Sequence, residues 1–303
     1  MTSTLSQPLL FLFIILLANM LKRAGMFSTK DGQVLSQITL NITLPAAIIS
    51  GFQSFELVPS LFLLILVGIA ANAILMGIAY LMMRKESKSM QGYAIFNTPT
   101  YNIGNFTFPF VQALYGGPGL VVASLFDLGN ALMTTGFVYS VGSSVATDQR
   151  PSIKDILKKL FQSVPFLSYL LMILLSLFGL RLPTFLNQWM SAIGKANPIV
   201  AMLMIGIMLD VHFEKGWMKQ AMKVISVRYL TAIVFSVLIW TLTSWEPMVK
   251  VILTLLLFSP VASVSTAYTQ QCTDKGKLSS FTSSVTVVIS TICYILLVPL
   301  LGA

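Results

Sequence analysis

Long apolar stretches recur along the whole chain and are separated by short polar connections. Ten of them are long enough to cross the hydrocarbon of a bilayer, which takes about 20 apolar residues in a helix. The ten predicted spans are residues 5–24, 34–53, 58–83, 91–114, 118–141, 163–180, 191–210, 226–245, 247–271 and 279–301. The pattern therefore predicts an all-α integral membrane protein with ten transmembrane helices.

Composition supports a membrane setting. Hydrophobic residues make up 56% of the 303 residues and charged residues only 10%, whereas about a quarter of the residues in a soluble domain are charged. This chain has too few charges to cover a water-facing surface. We expect the lipid bilayer to surround a multi-pass protein of the cell membrane, the inner or plasma membrane.

The net charge of +9 could indicate nucleic acid or acidic lipid as a partner, but its distribution favours a topology signal. Apart from Arg181, Lys195 and Lys250, the basic residues fall in the odd-numbered connections, with Arg228 assigned to the seventh. Cytoplasmic loops carry an excess of Lys and Arg. The odd connections are therefore predicted to be cytoplasmic and both termini extracytoplasmic, and no nucleic-acid partner is expected.

The longest connection, residues 142–162, is predicted to be a cytoplasmic linker between residues 1–141 and 163–303, each with five spans. Because five is odd, the second half enters the membrane from the opposite side, as in transporters built from inverted repeats. Matching asparagine–proline motifs occur in spans two and seven, and matching phenylalanine–proline motifs in spans four and nine. These matches favour two inverted five-helix repeats over a chance coincidence of prolines.

Residues 97–105 interrupt span four, and residues 259–266 interrupt span nine. Unpaired backbone groups cost several kcal/mol each in hydrocarbon, so non-helical backbone there must be buried in protein or line a wet cavity. A pair of breaks at corresponding places in two chain halves indicates a transporter's binding site. We therefore expect helices four and nine to be broken and to cross near the middle of the bilayer.

Each half-helix that starts at the crossing would point its N-terminal amides at it, which favours a carboxylate or other anion. Pro99 and Pro260 remove backbone donors and Gly104 permits tight turns, while the other candidates offer neutral hydrogen-bonding groups. The predicted substrate site comprises Thr98, Pro99, Asn102, Gly104, Asn105, Pro260, Ser263, Ser265 and Thr266.

The same residues could instead form two proline kinks that serines cap, with no ligand. No arginine is expected at the crossover to clamp a dicarboxylate through two hydrogen bonds. A monocarboxylate, or a dicarboxylate bound partly in its half-protonated form, therefore suits this neutral polar site better.

Asp127 is the one acidic residue well inside a predicted span, and a carboxyl group at such depth is by default functional. Ser124, Asn130 and Thr134 lie on the same helix face, which indicates that this face points into the protein. Burial favours the neutral form of a carboxyl, which suits a proton carrier. We predict that Asp127 couples transport to protons, with Asn130 and Asn72 beside it; a purely structural role is the alternative.

Residues 102–110, with Tyr115-Gly116 after them, resemble the fourth-helix motif of the auxin efflux carrier family. In that motif an asparagine precedes a glycine-rich stretch, a proline lies seven residues on, and Tyr-Gly ends the helix. Leu44-Pro45, Asn197-Pro198 and Pro260 also match the family in order and spacing. The resemblance covers nearly the whole chain.

The resemblance implies a fold shared with bile-acid sodium symporters, with crossing helices four and nine. It further implies that spans 3–5 and 8–10 form a moving transport core, as in an elevator, and that spans 1, 2, 6 and 7 form a scaffold through which the protein forms a homodimer. The family includes transporters of malate, malonate and auxin. By this resemblance Asn102 would contact the substrate, although Ser259-Pro260-Val261 is more apolar than the family pattern.

The sequence lacks the features that other classes of protein would require. His212 is the only histidine, and no His-Glu-x-x-His, Gly-x-Ser-x-Gly or paired-cysteine motif is present, so no enzyme, metal site or cofactor is expected. A channel or sensor would not need a duplicated break. A sodium-coupled symporter of the bile-acid type remains an alternative. It would want several carboxylate and carbonyl ligands near the crossover, and span nine has no Glu or Asp at its break, so proton coupling is preferred to sodium.

Overall fold

The computed structural model describes residues 2–53, 55, 58–148, 151–209 and 216–302, and His212 lies outside this set. All regular structure in the described ranges is helical, which confirms the all-α prediction. The α-helices are α1 Thr2–Arg23, α2 Thr29–Ile38, α3 Leu44–Gln53, α4 Leu63–Met83, α5 Lys88–Asn97, α6 Phe108–Leu132, α7 Tyr139–Thr147, α8 Ile153–Phe161, α9 Val164–Leu177, α10 Thr184–Gly194, α11 Asn197–Met208, α12 Met218–Leu242, α13 Pro247–Leu257, α14 Ser263–Cys272 and α15 Gly276–Leu300.

Short segments of other helix types join some of these helices without breaking them. Segments Thr39–Thr43, Ile103–Thr107 and Met133–Val138 are π-helical, and Pro59–Phe62 is a 3₁₀-helix. As a result, α2 and α3 form one span from Thr29 to Gln53, and helix continues from Ile103 to Thr147.

Seven described helices are long and apolar enough to cross a membrane, and α8 with α9, bent by 79°, could make an eighth. The helix Ile103–Thr147 has 45 residues, which would be roughly 67 Å if straight, about twice the hydrocarbon thickness. Gly116, with φ 60°, kinks it between the predicted spans four and five. Since α5, α13 and α14 are half-spans, the architecture is compatible with ten spans.

Both predicted breaks are present. In span four, α5 ends at Asn97 and helix resumes at Ile103; in span nine, α13 ends at Leu257 and α14 begins at Ser263. The residues between include Pro99 and Pro260, which cannot donate a backbone hydrogen bond and clash with the preceding helical turn. The two prolines therefore explain why α5 and α13 end in the middle of apolar stretches.

The two broken spans cross in opposite directions. Helix α5 packs against α14, and α13 packs against α6 and the π-helical segment before it, so the first half of each span meets the second half of the other. At the crossing the backbone N–H of Asn102 donates to the carbonyl of Pro260 at 2.9 Å. The predicted crossover is therefore a direct backbone contact between the breaks.

Spans two and seven show the same antiparallel relation. Helix α2 packs against α11 and α3 against α10. The Thr43 hydroxyl donates to Asn197 Oδ1 at 3.0 Å, and both residues are buried. An inverted repeat pairs equivalent spans antiparallel in this way, so both pairs are compatible with that prediction.

Gly68 lets α4 approach α6 closely. A Cβ at Gly68 would lie 2.4 Å from the carbonyl oxygen of Phe126, whereas a Cβ at Gly77 on the same helix would meet nothing within 4 Å. Overpacking of this kind costs about 1–3 kcal/mol. Gly68→Ala should therefore lower the melting temperature of the purified protein by several degrees, and Gly77→Ala should not. Equal melting temperatures for the two variants would contradict this packing.

Candidate substrate and coupling site

Four helix ends meet at the crossover. The C-terminal ends of α5 and α13 bring carbonyl groups, while the helix that begins at Ile103 and α14, which begins at Ser263, bring N-terminal amides. Helix N-termini attract negative charge and C-termini attract positive charge. The crossover therefore offers one pair of ends to an anion and the other pair to a cation.

Asn102 and Ser263 form the accessible side of the crossover. Asn102 is partly exposed, Ser263 is exposed, and Asn102 Nδ2 donates to the Ser263 hydroxyl at 3.3 Å. Both residues stand at the start of a second half-helix. Their neutral donors and acceptors, next to helix N-termini, suit a small carboxylate.

A largely polar exposed face of α14 leads away from this pair. Its exposed members are Ser263, Val264, Ala267, Gln270 and Gln271. Because polar side chains are costly against lipid, this face is expected to line a water-filled path. The path would run from the crossover to the end of α14 at Cys272.

Of the other predicted site residues, Ser265 and Thr98 are buried and Thr266 is half-buried. The hydroxyls of Thr100 and Ser265 are hydrogen-bonded at 2.6 Å, and Ser279 donates to the hydroxyl of Thr266 at 3.2 Å. The hydroxyl of Thr98 is fully buried and has no partner among the described residues. Ser265 and Thr98 therefore lie behind the accessible pair.

The remaining predicted site residues line the back of the breaks and their contact with span two. Pro99 and Pro260 are buried, and Asn105 is buried with no partner for Oδ1 among the described residues. A Cβ at Gly104 would lie 3.4 Å from the side chain of Leu44. The break in span four therefore faces the predicted scaffold.

Arg228 lies at the crossover, so the prediction that no arginine is present there is wrong. It sits in α12 with 3% of its surface exposed, not in a cytoplasmic connection. Its guanidinium donates to the carbonyls of Thr98 at 2.6 Å, Thr100 at 2.7 Å and Ser259 at 2.7 Å. A signal was available, because a basic residue inside a predicted apolar span is by default functional.

Asp127 is hydrogen-bonded through both carboxyl oxygens. Asn130 Nδ2 donates to Oδ1 at 2.8 Å, and the Tyr169 hydroxyl donates to Oδ2 at 2.8 Å. Tyr169 belongs to α9, in the second half of the chain, and no sequence pattern predicts this pairing. The carboxyl group therefore lies at the contact between spans five and six.

Asn130 connects Asp127 to the crossover. Its Nδ2 donates to the carbonyl of Tyr101 at 3.3 Å, and its Oδ1 accepts from the Tyr101 N–H at 3.4 Å. Asn72 instead donates to the carbonyl of Gly68 in its own helix, and no hydrogen bond joins it to Asp127 in the described part of the chain. Asp127 and Asn130, two of the three predicted coupling residues, are thus hydrogen-bonded to each other. Through Asn130 they are connected to Tyr101, the residue that precedes Asn102.

Broken helices that cross at a polar site are typical of membrane transporters. A family model described as "Membrane transport protein" matches residues 4–301. The chain belongs to this family, that of the auxin efflux carriers, which confirms the resemblance. It is also similar to an "Uncharacterized transporter" of Methanothermobacter thermautotrophicus, 25% identical over 226 residues that cover 72% of each chain.

Proposed function

We propose that the protein is a secondary active transporter of a small organic anion. The substrate would be a mono- or dicarboxylate such as malate or malonate, or an auxin-like acid, bound at Asn102 and Ser263. The observation that carries the proposal is the hydrogen bond between Asn102 N–H and the Pro260 carbonyl at 2.9 Å. It brings two second half-helices to one place, where their N-terminal ends favour a negative charge.

Proton coupling is proposed through Asp127. A buried carboxyl is more stable when neutral unless it is paired with a charge, and its hydrogen-bond partners Asn130 and Tyr169 are both neutral. Protonation would remove its charge and change the bonds to both partners. Because Asn130 also binds the backbone of Tyr101, this change would reach the residue next to Asn102.

An elevator movement is proposed from the position of the hydrogen bond between Tyr169 and Asp127. Tyr169 belongs to a span assigned to the scaffold and Asp127 to a span assigned to the core, so their hydrogen bond would have to break when the core moves.

The scaffold is proposed to form a homodimer, with the odd connections cytoplasmic and both termini outside the cell membrane. Crosslinking in native membranes would test the dimer independently of transport.

A thermal-shift panel of mono- and dicarboxylates on the purified protein tests the substrate class. A ligand that binds only the folded protein raises its melting temperature, by an amount that grows with its concentration relative to Kd. We expect at least one carboxylate to stabilise the protein, and its neutral amide or ester analogue not to do so. If no carboxylate has an effect and neutral or cationic ligands do, the anion assignment is wrong.

The sodium-coupled alternative and the channel alternative give different results in proteoliposomes. A symporter would accumulate the anion with a sodium gradient and ignore a pH gradient. A channel would show no counterflow, because trans-stimulated exchange requires a carrier that alternates its access. We expect counterflow, and accumulation driven by a pH gradient.

A further inference from the structure

The buried guanidinium of Arg228 joins the two breaks from behind the accessible site. One terminal nitrogen donates to Thr98 and Thr100 in the first break, and the other donates to Ser259 in the second. A fourth, longer bond of 3.4 Å runs from the first nitrogen to the carbonyl of Asn97, the last residue of α5. These acceptors are all backbone carbonyls, so a full positive charge lies against the carbonyl groups of the two breaks.

These carbonyls are of the kind that bind sodium in other transporters. Unwound backbone carbonyls and the C-terminal ends of half-helices coordinate Na⁺ in several folds with broken helices. Here such groups from both breaks converge on one side chain. The guanidinium is charged at every physiological pH, so it cannot leave or be neutralised as a bound ion can.

The charge of Arg228 also decides which helix ends remain uncompensated. The C-terminal ends of α5 and α13 each carry about half a negative charge, and the two N-terminal ends at Ile103 and Ser263 each carry about half a positive charge. One guanidinium offsets the two negative ends. The two positive ends are then left beside Asn102, where a substrate can reach them.

We propose that Arg228 is a resident cation that takes the place of a coupling sodium ion at the crossover and sets the preference of the site for anions. The second part rests on the proposed function, since it needs an anion at Asn102; the first part does not. A merely structural arginine would hold the breaks together equally well. The difference lies in whether a diffusible cation can replace it.

The wild-type protein gives the first test, which needs no variant and no substrate. Its melting temperature should be the same in sodium chloride and in choline chloride at equal ionic strength, because the carbonyls are already occupied. A sodium-specific rise, repeated as saturable ²²Na⁺ binding, would overturn the proposal.

The second test is chemical rescue. Arg228→Ala should lower the melting temperature by at least about 5 °C, since it leaves several buried carbonyls without a donor. Millimolar guanidinium chloride should restore a large part of this loss, while choline chloride and urea should not. Lys219→Ala removes an exposed positive charge from the same helix and is the matched control, with no loss and no rescue.

Two further variants separate charge from packing if the alanine variant does not fold. Arg228→Lys keeps the charge, and Arg228→Met has a similar length without it. We expect Arg228→Lys to have a higher melting temperature than Arg228→Met. With malonate as the probe, Arg228→Lys should bind more weakly than the wild type, and Arg228→Met should not bind. Equal stability of the two variants, or an alanine variant that guanidinium does not rescue, would show that the charge is not needed.

The sodium, rescue and malonate measurements distinguish a failure of this proposal from a failure of the proposed function. If malonate and the other carboxylates do not bind the wild type, the anion assignment fails, yet the sodium and rescue measurements still decide whether Arg228 acts as a resident cation. If carboxylates bind and Arg228→Met binds malonate as tightly as wild type, transport of an anion stands and the role of Arg228 in selectivity is wrong.

Discussion

Asp127→Asn should abolish the accumulation of substrate driven by a pH gradient while leaving substrate exchange across the membrane intact. Asparagine imitates the protonated carboxyl in size and charge. Its amide oxygen can still accept from Asn130, and the Tyr169 hydroxyl can turn to accept from the new amide, so the two bonds of 2.8 Å can be replaced. The variant should therefore fold, bind and exchange, but carry no proton.

The measurement is uptake into proteoliposomes with and without an imposed pH gradient, together with counterflow at equal pH. Asp155→Asn is the matched control, because it makes the same change at an exposed position on α8. The control should keep full accumulation. If Asp127→Asn also keeps it, Asp127 is structural and proton coupling must be sought elsewhere; if the wild type follows sodium and not pH, the symporter alternative gains.

The second large effect is expected for Asn102→Ala, which should weaken substrate binding strongly without disturbing the fold. The bond across the crossover is made by the backbone N–H of residue 102, which alanine retains. Only the side-chain amide and its long bond of 3.3 Å to Ser263 are lost. A buried ligand group left without its partner costs about 1–3 kcal/mol, or roughly a 5- to 150-fold weaker affinity.

Binding is measured by titration of the carboxylate that stabilises the wild type most. Asn187→Ala on α10 removes the same group outside the crossover and should bind as wild type does. Both variants should keep the wild-type melting temperature without ligand. Wild-type affinity in Asn102→Ala would move the substrate site away from the crossover.

The breaks could be predicted from the sequence because their causes are local. Pro99 and Pro260 stop helices through their own missing N–H and ring, whatever surrounds them. The long apolar stretches likewise indicate spans by length alone. The place of Asp127 inside a span and the inward direction of its helix face, now seen in the buried Asn130 and Thr134, followed from the same local pattern.

The partners of these groups could not be predicted, because they come from distant parts of the chain. Tyr169 lies 42 residues from Asp127, and Arg228 lies 130 residues from Thr98. No local pattern encodes such a distance; it is decided by how the helices pack. Arg228 shows this, because a basic residue near the end of an apolar run is typical both of a functional residue and of a cytoplasmic connection. Only its carbonyl acceptors decide between the two.

The sequence by itself thus determined the membrane setting, the two broken spans and the residues that stand at them, because apolar length, proline and glycine act on their own backbone. Only the tertiary structure decided which side of the crossover is accessible, that Asn130 joins Asp127 to Tyr101, and that a guanidinium occupies the carbonyls of both breaks. These features depend on the antiparallel packing of helices that are far apart in the chain, and hydrogen bonds between them exist only once that packing is complete.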